Sequence, residues 1–136
     1  MKGKILLLAL LLFITGCKQE IDGRQISLDK AKGYYESLIE ADLDKQMEYL
    51  EAFSLDPEEY FESFLKYVEG GKLHELSIEY EDDLLVMVKL DMDLELSSAF
   101  PSNPSLESGT NRVIRYLSYY KTDDYRLKEI LNKPIY

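Results

Sequence analysis

Hydrophobic and polar positions along this chain fall into three regimes. The first is a continuous apolar run from Ile5 to Phe13 behind a short cationic start, Met1-Lys2-Gly3-Lys4. It is shorter than the roughly 20 residues that a bilayer-spanning helix needs, so it reads as a signal peptide. The second regime has helical spacing. Ala31, Tyr34, Tyr35, Leu38 and Ile39 share one face of a helix that Ser27 would cap, and Leu43, Met47, Leu50 and Phe53 share a face of a second helix opening at Asp42. Asp56-Pro57-Glu58-Glu59 is the sharpest local signal: a capping aspartate, a proline at the first helical position, and a glutamate three residues after the cap. A third helix should follow with Tyr60, Phe61, Phe64, Leu65 and Val68 on its buried stripe, and Gly70-Gly71 should stop it.

The third regime is alternation, which predicts strands. His74, Leu76, Ile78 and Tyr80 would share one strand face. After a turn at Glu81-Asp82-Asp83, a long strand carries Leu84, Val86, Val88, Leu90, Met92, Leu94 and Leu96 on one side, with Lys89, Asp91, Asp93 and Glu95 on the other. A Ser-, Pro- and Asn-rich stretch from Ser97 to Gly109 reads as a long loop, and long loops are frequent carriers of function. Strands over Arg112–Tyr120 and Tyr125–Leu131, joined by a turn at Lys121-Thr122-Asp123-Asp124, complete the pattern. The expected fold is α+β: about three N-terminal helices packed on a curved, cone-like, four-stranded antiparallel sheet. The expected organisation is a leader over 1–16, an N-terminal tether over 17–25 and one domain over 26–136.

Ile14-Thr15-Gly16-Cys17 at the end of the leader resembles the lipobox of bacterial lipoprotein signals. The resemblance implies cleavage before Cys17 and a thioether from its thiol to diacylglycerol. Two or three acyl chains, at about 0.8 kcal/mol per buried CH₂, then give lasting anchoring. Cysteine usage agrees: a chain of 136 residues with one Cys has no internal disulfide, no thiol left for catalysis and no cysteine metal site. Lys18 rather than aspartate follows the lipidated position, so in a two-membrane host the resemblance implies the outer membrane. Removal of Lys2 and Lys4 with the leader takes the formal charge from −10 to −12. Such an acidic domain disfavours nucleic acid and anionic lipid as direct partners, because phosphate binding relies on clustered Lys and Arg.

The order of elements, with Tyr34-Tyr35-Glu36-Ser37-Leu38 running into Ala41-Asp42-Leu43-Asp44 and a closing Tyr125-Arg126-Leu127-Lys128-Glu129-Ile130 strand, resembles the nuclear transport factor 2-like cone fold in its small exported lipoprotein members. A cystatin-like domain is the rival, and it would leave two of the helices unexplained. The resemblance implies a concave sheet face closed by helices. Candidate contacts for such a pocket, or for a partner, are His74 and Tyr80 on one strand face and Tyr116 opposite. His74 near a strand start reads first as an edge residue, the tyrosines as amphipathic packing, and Asp91, Asp93 and Glu95 as a solvated face rather than a metal site. No cofactor is implied. The expected function is a non-enzymatic binding or interaction module in the cell envelope, anchored to the membrane through Cys17, with a protein or small-ligand partner met at the pocket mouth or the Ser97–Asn111 loop. The alternative is an enzyme that uses the cone pocket on a small substrate.

Overall fold

A computed structural model describes residues 22–134. Three helices, α1 (Gly23–Ile39), α2 (Leu43–Tyr49) and α3 (Pro57–Ser63), precede four strands, β1 (Val68–Glu81), β2 (Leu85–Leu96), β3 (Gly109–Tyr120) and β4 (Arg126–Leu131). The strands form one antiparallel sheet in the order β1-β2-β3-β4, so each pairs with its sequence neighbour and the sheet stays open. The class is α+β, as the periodicities predict.

Two helix starts follow their capping residues. Asp42 accepts from the Lys45 amide, and Asp56 from those of Glu58 and Glu59, which satisfies amide donors that a helix N-terminus leaves open. The first helix opens one turn earlier than Ser27. Asp22 is its cap, accepting from the Arg24 and Gln25 amides, and Ser27 sits fully buried with its hydroxyl donating to the Gly23 carbonyl. A carboxylate one turn upstream supplies the cap, and extending the helix to it adds a turn that seats Ser27 inside.

The core lies between α1 and one face of the sheet. Val86, Val88, Leu90, Met92, Leu94 and Leu96 of β2 are each at most 2 % exposed, and Ala31, Tyr34, Tyr35 and Leu38 of α1 are buried over them. Burial of this kind, at about 25 cal/mol per Å² of apolar surface, is the main force holding helix to sheet. Gly70 and Gly71 do not stop a helix but lie within β1. A Cβ at Gly71 would sit 2.5 Å from the Asp93 carbonyl oxygen and 2.7 Å from Ile39 Cγ2, so glycine here lets the end of α1 approach the β1–β2 ladder. The third helix ends at Ser63 and the chain reaches the sheet through a 3₁₀ turn, Leu65–Tyr67.

Strand β1 departs from simple alternation. Its pairing with β2 shifts register between Val68 and Gly70, between Leu73 and Glu75, and between Ile78 and Tyr80. Each extra residue turns the following side chains to the opposite face. Leu76 and Ile78 therefore pair with core-facing Leu90 and Val88, whereas Tyr80 pairs with Met87 on the outer face, and His74 stands in a bulge.

Candidate functional site

The long loop between β2 and β3 is folded down rather than free. Phe100 is buried, its ring edge-on to Tyr67 with centroids 5.5 Å apart, and Asn103 Oδ1 accepts from the Ser105 and Leu106 amides. Asn111 ties its far end by accepting from the Glu107 amide and donating to the Glu107 carbonyl.

The outer face of the sheet holds the residues singled out from the sequence. His74 Nε2 lies 2.9 Å from Asp93 Oδ2, and Lys89 Nζ lies 2.9 Å from Glu75. Arg112 grips Asp91 with two parallel bonds, Nε to Oδ1 at 2.5 Å and Nη2 to Oδ2 at 2.8 Å. That fork holds the Asp91 carboxyl below its ordinary range even though Asp91 is only 6 % exposed. The Tyr80 hydroxyl donates to Asp82, which itself receives the Leu84 and Leu85 amides and closes the β1–β2 turn. Tyr116 pairs with Lys89 and so belongs to the same outer face. Asp91 is held by the Arg112 guanidinium and Asp93 lies within hydrogen-bond distance of His74 Nε2, so neither is merely solvated. Among the described residues, no group of three or more His, Cys, Asp or Glu side chains could hold a metal ion. His74, Tyr80 and Tyr116 thus share one face, opposite the helices, and they are not brought together around a cavity. The register shifts that place them there leave no trace in the residue types.

A cavity of about 270 Å³ opens elsewhere, between α1, the end of α2 and the β3–β4 hairpin. Lys30 comes from α1, Glu48, Tyr49 and Glu51 from α2 and the 3₁₀ turn after it, and Tyr119, Asp123, Asp124, Arg126 and Leu127 from the hairpin. Three features fix its walls. First, Tyr49 packs its hydroxyl against α1 at Gly33, and a Cβ there would collide with it. Second, the hairpin turn puts two successive residues, Asp124 (φ 51°) and Tyr125 (φ 54°), in the left-handed region. For a bulky side chain such as Tyr125 that conformation costs about 1–2 kcal/mol. Third, the turn is pinned onto α1: Lys30 Nζ donates to the Asp124 and Tyr125 carbonyls, each at 2.8 Å, and the Tyr125 ring covers Gly23. Burial pulls the Lys30 ammonium below its ordinary pKa.

Tyr119 lines the cavity on its inner side. It is fully buried, and its hydroxyl has no hydrogen-bond partner among the described residues. Burial, first of all, raises its pKa well above that of a free tyrosine, so the hydroxyl keeps its proton and can donate as well as accept. Behind it the helices are joined by a satisfied network. Gln46, fully buried, donates to the Tyr34 carbonyl at 2.8 Å and to Ser37 Oγ at 2.6 Å, and accepts from the Tyr60 hydroxyl at 2.8 Å. Tyr34, buried beside it, has its pKa pushed up to about 12 by desolvation. Only Tyr119 and Ser118 keep unpaired buried side-chain polar atoms among the described residues.

No family model, no curated protein and no solved structure matches the chain. No helix among the described residues is long and apolar enough to cross a membrane. Cys17 lies outside the described residues.

Proposed function

We propose that this chain is a lipoprotein held by lipid on Cys17 at the extracytoplasmic face of a cell membrane, and that its domain is a non-enzymatic binding module whose ligand enters the cavity at Tyr119. The anchoring half is supported by the leader and by Ile14-Thr15-Gly16-Cys17. The order of helices before a meander supports the likeness to the cone fold.

The binding half is carried by one observation: a cavity wall contains a buried hydroxyl that the protein leaves without a partner. Buried polar groups are nearly always satisfied, so an unpaired one just behind the wall of a concave cleft supports reading that cleft as the place where a ligand is met. Binding is favoured over catalysis because His74 stands on the opposite sheet face, paired with Asp93 and away from this cavity.

The test uses the full chain expressed in cells supplied with an alkyne-bearing palmitate. Label on the wild type and its absence from Cys17→Ala support the anchor, and equal labelling overturns it. Native mass spectrometry of the detergent-solubilised wild type is expected to show a bound small molecule that Tyr119→Phe loses. Identical ligand-free spectra for both would overturn the binding module.

A further inference from the structure

The two sides of the sheet are finished differently. Strand β1, at one edge, is interrupted by three register shifts against β2, irregularities that keep a further strand from pairing along it. On the other side β4 pairs with β3 only from Tyr116 to Tyr120, so the half of β3 from Gly109 to Arg115 pairs with β2 alone and forms a second edge. This half has no bulge against β2, no proline and no lysine. The Tyr120 carbonyl accepts from the Tyr125 amide on the β4 side. Backbone groups along a strand alternate from side to side, so those of Thr110, Arg112 and Ile114 point the same way, past the end of β4. Asn132 and Lys133, which follow β4, bend and are exposed, and no backbone group among the described residues bonds to these three from that side. Gly109, Thr110 and Arg112 are exposed, and a Cβ at Gly109 would meet nothing within 4 Å.

Two arginines flank this edge and neither closes it. Arg112 is drawn inward over the sheet by its fork to Asp91. Arg115, on the helix-facing side opposite Leu90, has no carboxylate partner among the described residues, and its Nη1 donates to the Ile114 carbonyl at 2.9 Å. A guanidinium fork matches a carboxylate, and here it is spent on a carbonyl of its own strand in a chain with 26 acidic residues. We infer that Gly109–Arg115 is the docking edge for an extended acidic peptide of a partner protein, which joins the sheet as a strand antiparallel to β3 and sets an Asp or Glu opposite Arg115. The incoming carboxylate draws the Arg115 guanidinium off the Ile114 carbonyl, and that carbonyl then joins the ladder with those of Arg112 and Thr110. A second copy fits less well. No residue of Gly109–Arg115 is acidic, so the same edge of another chain would leave both Arg115 side chains without an acid. The edge lies at the loop end of β3, apart from the cavity, so this inference stands whether or not the cavity takes a ligand.

The experiment follows amide shifts and amide hydrogen exchange of the detergent-solubilised full chain on adding the peptide acetyl-Glu-Thr-Val-Thr-Val-amide. The expected result is saturable binding that slows exchange at Thr110, Arg112 and Ile114, with little change in exchange at Val113 and Arg115, whose amides face β2. A peptide with Lys in place of Glu should bind at least tenfold more weakly, as should the original peptide to Arg115→Gln at an unchanged thermal midpoint. N-methylation of the two threonines, which removes the donors to the Ile114 and Arg112 carbonyls, should abolish binding. Absence of saturable binding at millimolar peptide, or undiminished binding of the N-methylated peptide, overturns strand addition. Equal affinity for the Glu and Lys peptides overturns the acidic partner. Edge amides already protected without peptide also overturn the inference: protection that grows with protein concentration assigns the edge to a second copy, and protection independent of concentration assigns it to another segment of the same chain.

Discussion

A buried hydroxyl without a partner costs about 1–3 kcal/mol, because the water bonds it gives up are not replaced. Tyr119 and Ser118, adjacent in β3, both carry this cost, but the pleat sends them to opposite faces: Tyr119 toward the core and the cavity, Ser118 opposite Met87 on the outer face. The pair provides its own control. Tyr119→Phe and Ser118→Ala each delete an orphan oxygen while keeping the shape of the site, and each is expected to raise stability by about 1–2 kcal/mol in urea unfolding at an unchanged slope. Only Tyr119→Phe should lose the ligand. Stability kept low at one position for the sake of binding is the expected mark of a functional group. If Tyr119→Phe destabilises the domain, the hydroxyl has a partner in solution and is not reserved for a ligand.

Packing of the helices on the hairpin decides whether the cavity exists at all. Gly33 lies mid-helix in α1, where Ala would be favoured by about 1 kcal/mol on propensity, yet a methyl there meets the Tyr49 hydroxyl and ring. Gly33→Ala is therefore expected to destabilise the wild type by about 1–2 kcal/mol and to stabilise a Tyr49→Ala background by up to about 1 kcal/mol. Urea unfolding of the four members of that cycle measures the coupling, and additivity would mean that Tyr49 does not rest on Gly33. This dependence explains what the sequence exposes and what it hides. The caps at Asp42 and Asp56 and the alternation of β2 are local patterns, and each is legible because one residue type at one spacing satisfies one physical need. The shifts that turn Tyr80 outward and set His74 beside Asp93 depend on how β1 pairs with β2, across separations that run from Tyr80–Met87 to Leu73–Met92. Gln46 reads as a polar helix position until Tyr60, Ser37 and the Tyr34 carbonyl close around it. The cavity joins residues 30, 48–51 and 119–127, and no window along the chain contains them together.

At the scale of the molecule, the point where the chain enters the described domain and the cavity fall at the same end. Gly23 lies under the Tyr125 ring, and Arg24 pairs with Glu81 beside the β1–β2 turn, so the chain enters the domain where the β3–β4 turn closes the cavity. Four residues lie between Cys17 and Asp22, and the five Cα-to-Cα steps could span at most about 18 Å. The loop between β2 and β3 sits at the far end of β3, a strand of 12 residues, or about 36 Å between its first and last Cα. A lipidated Cys17 would thus hold the cavity close to the membrane and present the loop outward. Because lipidation consumes the Cys17 thiol, a cysteine placed by Thr122→Cys or by Ser102→Cys is the single free thiol for a fluorophore. In vesicles with nitroxide-labelled headgroups, the fluorophore on Thr122→Cys should be quenched several times more strongly than that on Ser102→Cys. Equal quenching, or the reverse order, would place the loop at the membrane and give it, rather than the cavity, first access to ligands carried there. The expected order would restrict the cavity to small molecules able to reach it from the bilayer surface, and leave the loop end open to partners approaching from outside the membrane.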